Sequence, residues 1–377
     1  MKKKNAISLI VLVITVIVMA ILAATIIITL SNTNIISEAN DAVQKTEAQQ
    51  VEEMKALMLA DGMLGKNPES QTIGSTTLEW DSVNKEVIEK RNGQLVKEGI
   101  IIPKGFYYVG GTKDAGLVIS DDATDENKGV DYTCVGNQFV WVPVDDFSKF
   151  VRGTAEETAT GSGIYKMTGK IGEDHSEPYE EASNWEKTEY STMMQSVQKY
   201  GGFYIARFEA GNENNDTVSK KGATVTLVNW GDSMTEIGTT GAVYLSQKMY
   251  KNSSSVASTL CYGVQWDATL NFVSDANHNI VNSVSWGNYY ASTGDAATDS
   301  GSIQTCGKNE AWKAKNIYDL AGNATEMTME AYFGGTAVRV NRGGYITYGS
   351  NPPASVRNYN HPVGQSDLGF RVALYIK

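Results

Sequence analysis

The 377-residue sequence predicts an α+β protein, with a long N-terminal transmembrane helix followed by a loop-rich domain of short strands. Three observations predict it. Residues Ala6 to Leu30 carry no charge, Pro or Gly and are mostly Ile, Val, Leu and Ala. Past Gly62, short runs rich in Val, Ile, Phe, Tyr and Trp alternate with turn-forming Gly, Asn, Asp and Ser. Long polar segments at 121–131, 153–163 and 292–302 separate some of these runs. A compact domain carries so much loop chiefly where loops do the work.

At about 1.5 Å rise per residue, the apolar run spans roughly 37 Å against a hydrocarbon core of about 30 Å. A cleaved signal peptide would have an apolar stretch of only about 7–15 residues. Here apolar residues continue past the small pair Ala23-Ala24, which favours a retained anchor. Lys2, Lys3 and Lys4 flank its short side, so the positive-inside rule places everything after Leu30 across the membrane, at the cell surface.

From Ile36 the pattern becomes amphipathic, with Ile36, Ala39, Val43, Val51, Met54, Leu57 and Met58 at helical steps. This reads as the same helix laying one face on a partner or on its own domain. A short independent helix after 31–34 is the alternative. The expected organisation is therefore 1–61 as leader, membrane helix and amphipathic extension, 62–100 as connecting region, and 101–377 as the main domain. Within that domain, strand signals fall at 105–111, 138–144, 202–208 and 370–376. Helix signals fall at 190–200, 241–251 and 264–274.

Composition excludes some functions. A net charge of −11 without a basic stripe is unsuited to neutralising phosphates, so nucleic acid is not an expected partner. Three cysteines, Cys134, Cys261 and Cys306, form neither a disulfide framework nor a CxxC metal pattern. Buried thiols are expected over a Cys261–Cys306 bridge. Three scattered histidines make a histidine metal centre improbable.

Two resemblances cover nearly the whole chain. The start, Lys-Lys-Lys-Asn-Ala-Ile-Ser-Leu-Ile-Val-Leu-Val-Ile-Thr, resembles a type IV prepilin leader. On that pattern cleavage falls after Ala6, Ile7 becomes the new N-terminus, and other pilin-like subunits become partners. The usual Gly before the cut is Ala6, and the usual Glu at the fifth mature position is Val11. The second resemblance rests on an ordered series: Phe139-Val-Trp-Val-Pro-Val, Tyr204-Ile-Ala-Arg-Phe-Glu-Ala-Gly, Gln265-Trp-Asp-Ala, Asn316-Ile-Tyr-Asp-Leu-Ala-Gly-Asn-Ala-Thr-Glu, Arg342-Gly-Gly-Tyr and Leu368-Gly-Phe-Arg-Val-Ala. It is similar to the formylglycine-generating (sulfatase-modifying) enzymes, whose fold is an elaborated C-type-lectin-like domain.

That resemblance implies a fold more than a chemistry. The family's catalytic cysteine pair would fall near Tyr348 and Pro353, and the interval from Tyr345 to Leu368 contains no cysteine. Tyr and Pro cannot replace thiolates, so no redox cofactor is expected and the oxidase is the weaker alternative. The resemblance does imply a structural calcium site, with carboxylates from Asp319 and Glu326 and carbonyls from Gly322 and Ala324. Glu326 and Glu330 as an acid/base pair are disfavoured, since nothing else points there.

The remaining expectation concerns ligand binding. Tyr345, Tyr348, Asn351, Arg357, Asn358, Tyr359, Asn360, His361, Gln365, Ser366 and Asp367 make a Tyr/Asn/Ser/Arg mixture like that of an antibody paratope. In some relatives of this fold the segment is diversified by a retroelement. The sequence thus reads as a surface-displayed, non-catalytic binder of a protein or glycan, with a minor pilin or pseudopilin as the structural alternative.

Overall fold

The computed structural model describes residues 35–153, 175–333, 337–346, 353–363 and 368–377. The chain divides into two compact units, Met1–Val96 and Lys97–Lys377.

In the first unit, the helix Ile35–Met63 runs without Pro or Gly until Gly62. It buries a narrow face. Val51 and Met58, with Met54 beside them, pack on Leu78, Ile73, Trp80 and Val87 of an antiparallel meander. The strands of that meander are Gln71–Ile73, Thr76–Asp81, Glu86–Arg91 and Gln94–Lys97. The turn between Glu86–Arg91 and Gln94–Lys97 is Asn92-Gly93, both at positive φ between paired Arg91 and Gln94, the conformation a two-residue hairpin loop demands. Residues 71–97, read from sequence as connection, are therefore largely strand.

The expected fold class is corrected here. Among the described residues the protein is mainly β, with four α-helices against many short strands, and no helix is long and apolar enough to cross a membrane. The long helix that is described interleaves its apolar positions with Glu, Gln, Asp and Lys, and Val43 and Leu57 are exposed. The described residues therefore give no support to the expected membrane anchor and cell-surface location, and the expectation is corrected to that extent. The apolar run 6–30, with Ala6 and Ile7, lies outside the described residues.

The second unit is built on an antiparallel sheet in the order Val256–Leu260, Val372–Ile376, Gly202–Ala206, Gln138–Pro143, Val118–Ser120, Tyr107–Gly110. Gly202–Ala206 and Val372–Ile376 are buried at every position. Strands covered on both faces read as continuous apolar runs, which is why these were legible. The helices Asn184–Tyr200, Ala242–Met249 and Gly263–Val273 belong to the same unit. A second sheet runs Asn358–Asn360, Ala337–Arg342, Glu326–Phe333, Gly369–Phe370, with Asn358–Asn360 at its edge. That edge positions the predicted contact segment.

Candidate functional site

Of the predicted contact residues, Tyr348, Asn351, Gln365, Ser366 and Asp367 lie outside the described residues. The rest divide by role. Arg357 is buried: its Nε lies 3.2 Å from Glu330 and its Nη2 bonds Asp267. Asp267 also receives Arg342 Nη2 at 2.8 Å and the Gly153 amide at 2.8 Å, while Arg152 Nη1 reaches Glu330 at 3.1 Å. A buried charge is tolerated only when paired in this way. Arg357 is thus an internal post rather than a contact.

Directly after that post the chain comes to the surface. Asn358, Tyr359 and Asn360 are half-exposed and pair with Asn341, Val340 and Arg339 respectively, and His361 is exposed. The Tyr359 ring stacks on Tyr332 with centroids 4.8 Å apart and planes at 27°. Tyr345 is half-exposed. The ion-pair network fixes the base, and the strand presents Asn, Tyr, Asn and His from it.

The predicted calcium residues share one buried loop but do not fit a cation as placed. Glu326 gives both carboxylate oxygens to Arg371, with the shortest contact to Nη2 at 2.6 Å. Asp319 accepts the Gly307 amide at 2.6 Å through one oxygen, and its Oδ1 has no hydrogen-bond partner among the described residues. The Gly322 amide donates to the Gly343 carbonyl, and the Ala324 amide to Glu209 at 2.9 Å. A hard cation requires several oxygens turned to one point. Here Arg371 takes the carboxylate a cation would use, and no cluster of three or more metal-ligating side chains occurs among the described residues. Burial pushes the Asp319 carboxyl up to about 7, and the Glu209 carboxyl is raised well above its ordinary value by burial and by Asp319 and Glu326. Sequence reasoning passed over Glu209, which lay inside a motif as one more acidic residue.

All three cysteines are buried free thiols. Burial pushes Cys134 up to about 11 and Cys261 and Cys306 well above the ordinary thiol range. None is poised as a thiolate nucleophile.

A pocket of about 280 Å³ was missed from sequence. Arg207, Gln138, Phe208 and Tyr318 are its buried lining, and Tyr132, Lys221 and Glu310 also line it. These residues are spread over nearly half the chain, so no local spacing could announce them.

No protein-family model matches the chain and no curated protein does, so neither comparison supports the expected pilin and formylglycine-generating resemblances. Among solved structures, a crystal structure of CarF overlaps at a TM-score of 0.31 and 14% identity, covering 47% of this chain and 87% of that one. Treponema denticola variable protein 1 overlaps at a TM-score of 0.25 and 12% identity, covering 81% of this chain and 98% of that one. Overlaps this slight carry no argument about fold or function.

Proposed function

We propose that the Lys97–Lys377 unit is a non-catalytic recognition module whose contact surface is the segment from Tyr345 to Asp367. The observation that carries this reading is the edge strand Asn358–Asn360, half-exposed and seated directly on the buried Arg357 post. Tyr supplies rigid amphipathic area and Asn supplies adaptable hydrogen bonds, so such a strand binds at low entropic cost. An edge strand also offers main-chain groups for another strand to pair with, which favours a protein partner over a glycan. Diversification by a retroelement is part of the proposal: substitution at adenine-containing codons tends to populate Asn, Tyr, Ser and Asp. A nearby reverse transcriptase gene with a partial copy of this coding region is the corresponding genomic expectation.

The test is selection of binders from a peptide-display library, with a glycan array in parallel, followed by Tyr359→Ala and Asn360→Ala. Peptides should bind, and Tyr359→Ala should weaken them about ten-fold or more with the melting temperature nearly unchanged. Selected binders indifferent to both substitutions would place recognition elsewhere. Binding on the glycan array alone would overturn the protein-partner reading.

A further inference from the structure

The buried arginines of the second unit differ in one respect. Arg339 pairs with Glu186 at 2.9 Å, Arg342 with Asp267 at 2.8 Å, Arg357 with Glu330 at 3.2 Å, and Arg371 with Glu326 at 2.6 Å. Each guanidinium thus has a carboxylate. Arg207 is equally buried, yet its hydrogen bonds go only to neutral oxygens: Nε to the Asn316 carbonyl at 3.1 Å, Nη1 to Gln138 Oε1 at 2.7 Å and Nη2 to the Val130 carbonyl at 2.7 Å. A guanidinium has about five N–H donors, so donor capacity is left over. Burial lowers its pKa against the opposing pull of Tyr318, Cys134 and Glu310, as burial also lowers Arg342 beside Asp267, so it is the hydrogen-bond partners that set Arg207 apart.

Arg207 lines the 280 Å³ pocket, and the rest of the lining indicates what completes it. Phe208 and Tyr318 stack with centroids 5.0 Å apart, and the Arg207 guanidinium lies 5.4 Å from the Tyr318 ring centroid. At the rim, Lys221 and Lys313 both reach Glu310, whose other partner is the Tyr318 hydroxyl at 2.7 Å. Burial pushes Glu310 up, but those three donors outweigh it and hold its carboxyl down at about 2. Glu310 is therefore an anion already committed to the rim lysines. Asp131, also in the lining, lies 3.9 Å from Lys313, so these two lysines and two acids balance and leave Arg207 as the uncompensated charge. Tyr132, exposed at 44%, adds an aromatic edge. The volume lies just below the roughly 300–1,000 Å³ usual for a drug-sized ligand, which limits the occupant to a small molecule.

From this geometry we infer that the pocket binds a small organic monocarboxylate, its carboxylate against the Arg207 guanidinium and its body against the aromatic lining. Charge-assisted hydrogen bonds from a guanidinium suit a carboxylate, and a desolvated cation gains most from such a partner. With the rim charges balanced, the single guanidinium suits one negative charge better than a dianionic phosphate.

The test titrates the full chain with benzoate and D-glucuronate, alongside benzamide, glucose and inorganic phosphate. Calorimetry measures affinity, and amide chemical shifts of Asp131, Tyr132 and Lys221 report location. At least one carboxylate should bind and shift those amides, its uncharged counterpart should not, and Lys221→Gln should weaken binding about three-fold or more by removing a rim cation. Arg207→Lys, which keeps the charge but loses the planar fork, should weaken it about ten-fold or more. If that variant does not fold, the Lys221→Gln result and the comparison of charged with uncharged probes still decide. Equal binding of benzamide and benzoate, binding of phosphate alone, no shifts with any probe at millimolar concentration, or unchanged affinity in both folded variants would each overturn the inference.

Discussion

Glu189 sits on the helix Asn184–Tyr200, where its two carboxylate oxygens accept from the Tyr262 hydroxyl at 2.9 Å and the Gln247 amide at 2.7 Å. The residue is partly exposed, but its carboxylate is turned inward and no cation pairs with it among the described residues. Burial pushes it up to about 7 from an ordinary 4.5, helped by the charge of Glu186. The folded chain therefore holds this proton more tightly than the unfolded chain. Stability contributed below about pH 4.5 is lost as pH rises to about 7. Glu189→Gln keeps an acceptor for one donor and removes the titration. The variant should lose less stability than the parent between pH 4.5 and 7, by on the order of 2 kcal/mol after allowance for partial exposure. Urea unfolding at several pH values checks this, and parallel curves for the two proteins would sink it. Glu177 and Asp319, also raised to about 7, titrate in the same window, so the difference between variant and parent is the informative quantity.

At the scale of elements, the helix Ile35–Met63 shows how little of an amphipathic pattern the fold uses. Met58 is 2% exposed against the strand bearing Leu78, whereas Val43 is 55% exposed. Met58→Ala should cost about 2–4 kcal/mol, the range for deleting a buried side chain into a partly relaxing cavity. Val43→Ala should stay within about 0.5 kcal/mol. Hydrogen exchange of Thr76–Asp81 amides separates the two, and equal effects would mean that the helix docks by another face. The helical period was visible in the sequence because it is local, but which apolar positions find a partner depends on strands whose own pattern is faint. Thr76–Asp81, with Leu78 and Trp80 among Thr, Glu and Asp, has too few apolar residues to stand out in a turn-rich stretch. The runs at 138–143, 202–206 and 372–376 stood out because burial on both faces demands apolar residues at nearly every position. The site was legible to a smaller degree. Asn358 to His361 could be read as a contact surface from residue type alone, yet Arg357 carries the same polar signature and lies inside. Arg207 could not be singled out at all, since its want of a carboxylate depends on partners from residues 130, 138 and 316.

For the whole molecule, the order of strands matters more than their order in the chain. The last strand, Val372–Ile376, lies between Gly202–Ala206 and Val256–Leu260, pairing Leu374 with both Tyr204 and Ser258. The sheet of the second unit is thus completed by the C-terminus, across sequence separations that make its contacts non-local. Removing residues 372–377 strips two neighbouring strands of their hydrogen-bond partner and deletes five buried side chains. Ser196 Oγ also loses the Ile376 carbonyl it bonds at 2.6 Å. Losses on this scale exceed the roughly 5–15 kcal/mol by which a domain is stable, so the truncated second unit should not fold. The first unit has its own core of Val51, Met58 and Leu78, and none of those contacts involves the deleted strand. Hydrogen exchange on the truncated chain should therefore show Gln138–Pro143 unprotected while Thr76–Asp81 keeps its protection. Retained protection at 138–143 would mean that the C-terminal strand is dispensable to the sheet, and loss at both segments would mean that the two units fold as one cooperative body.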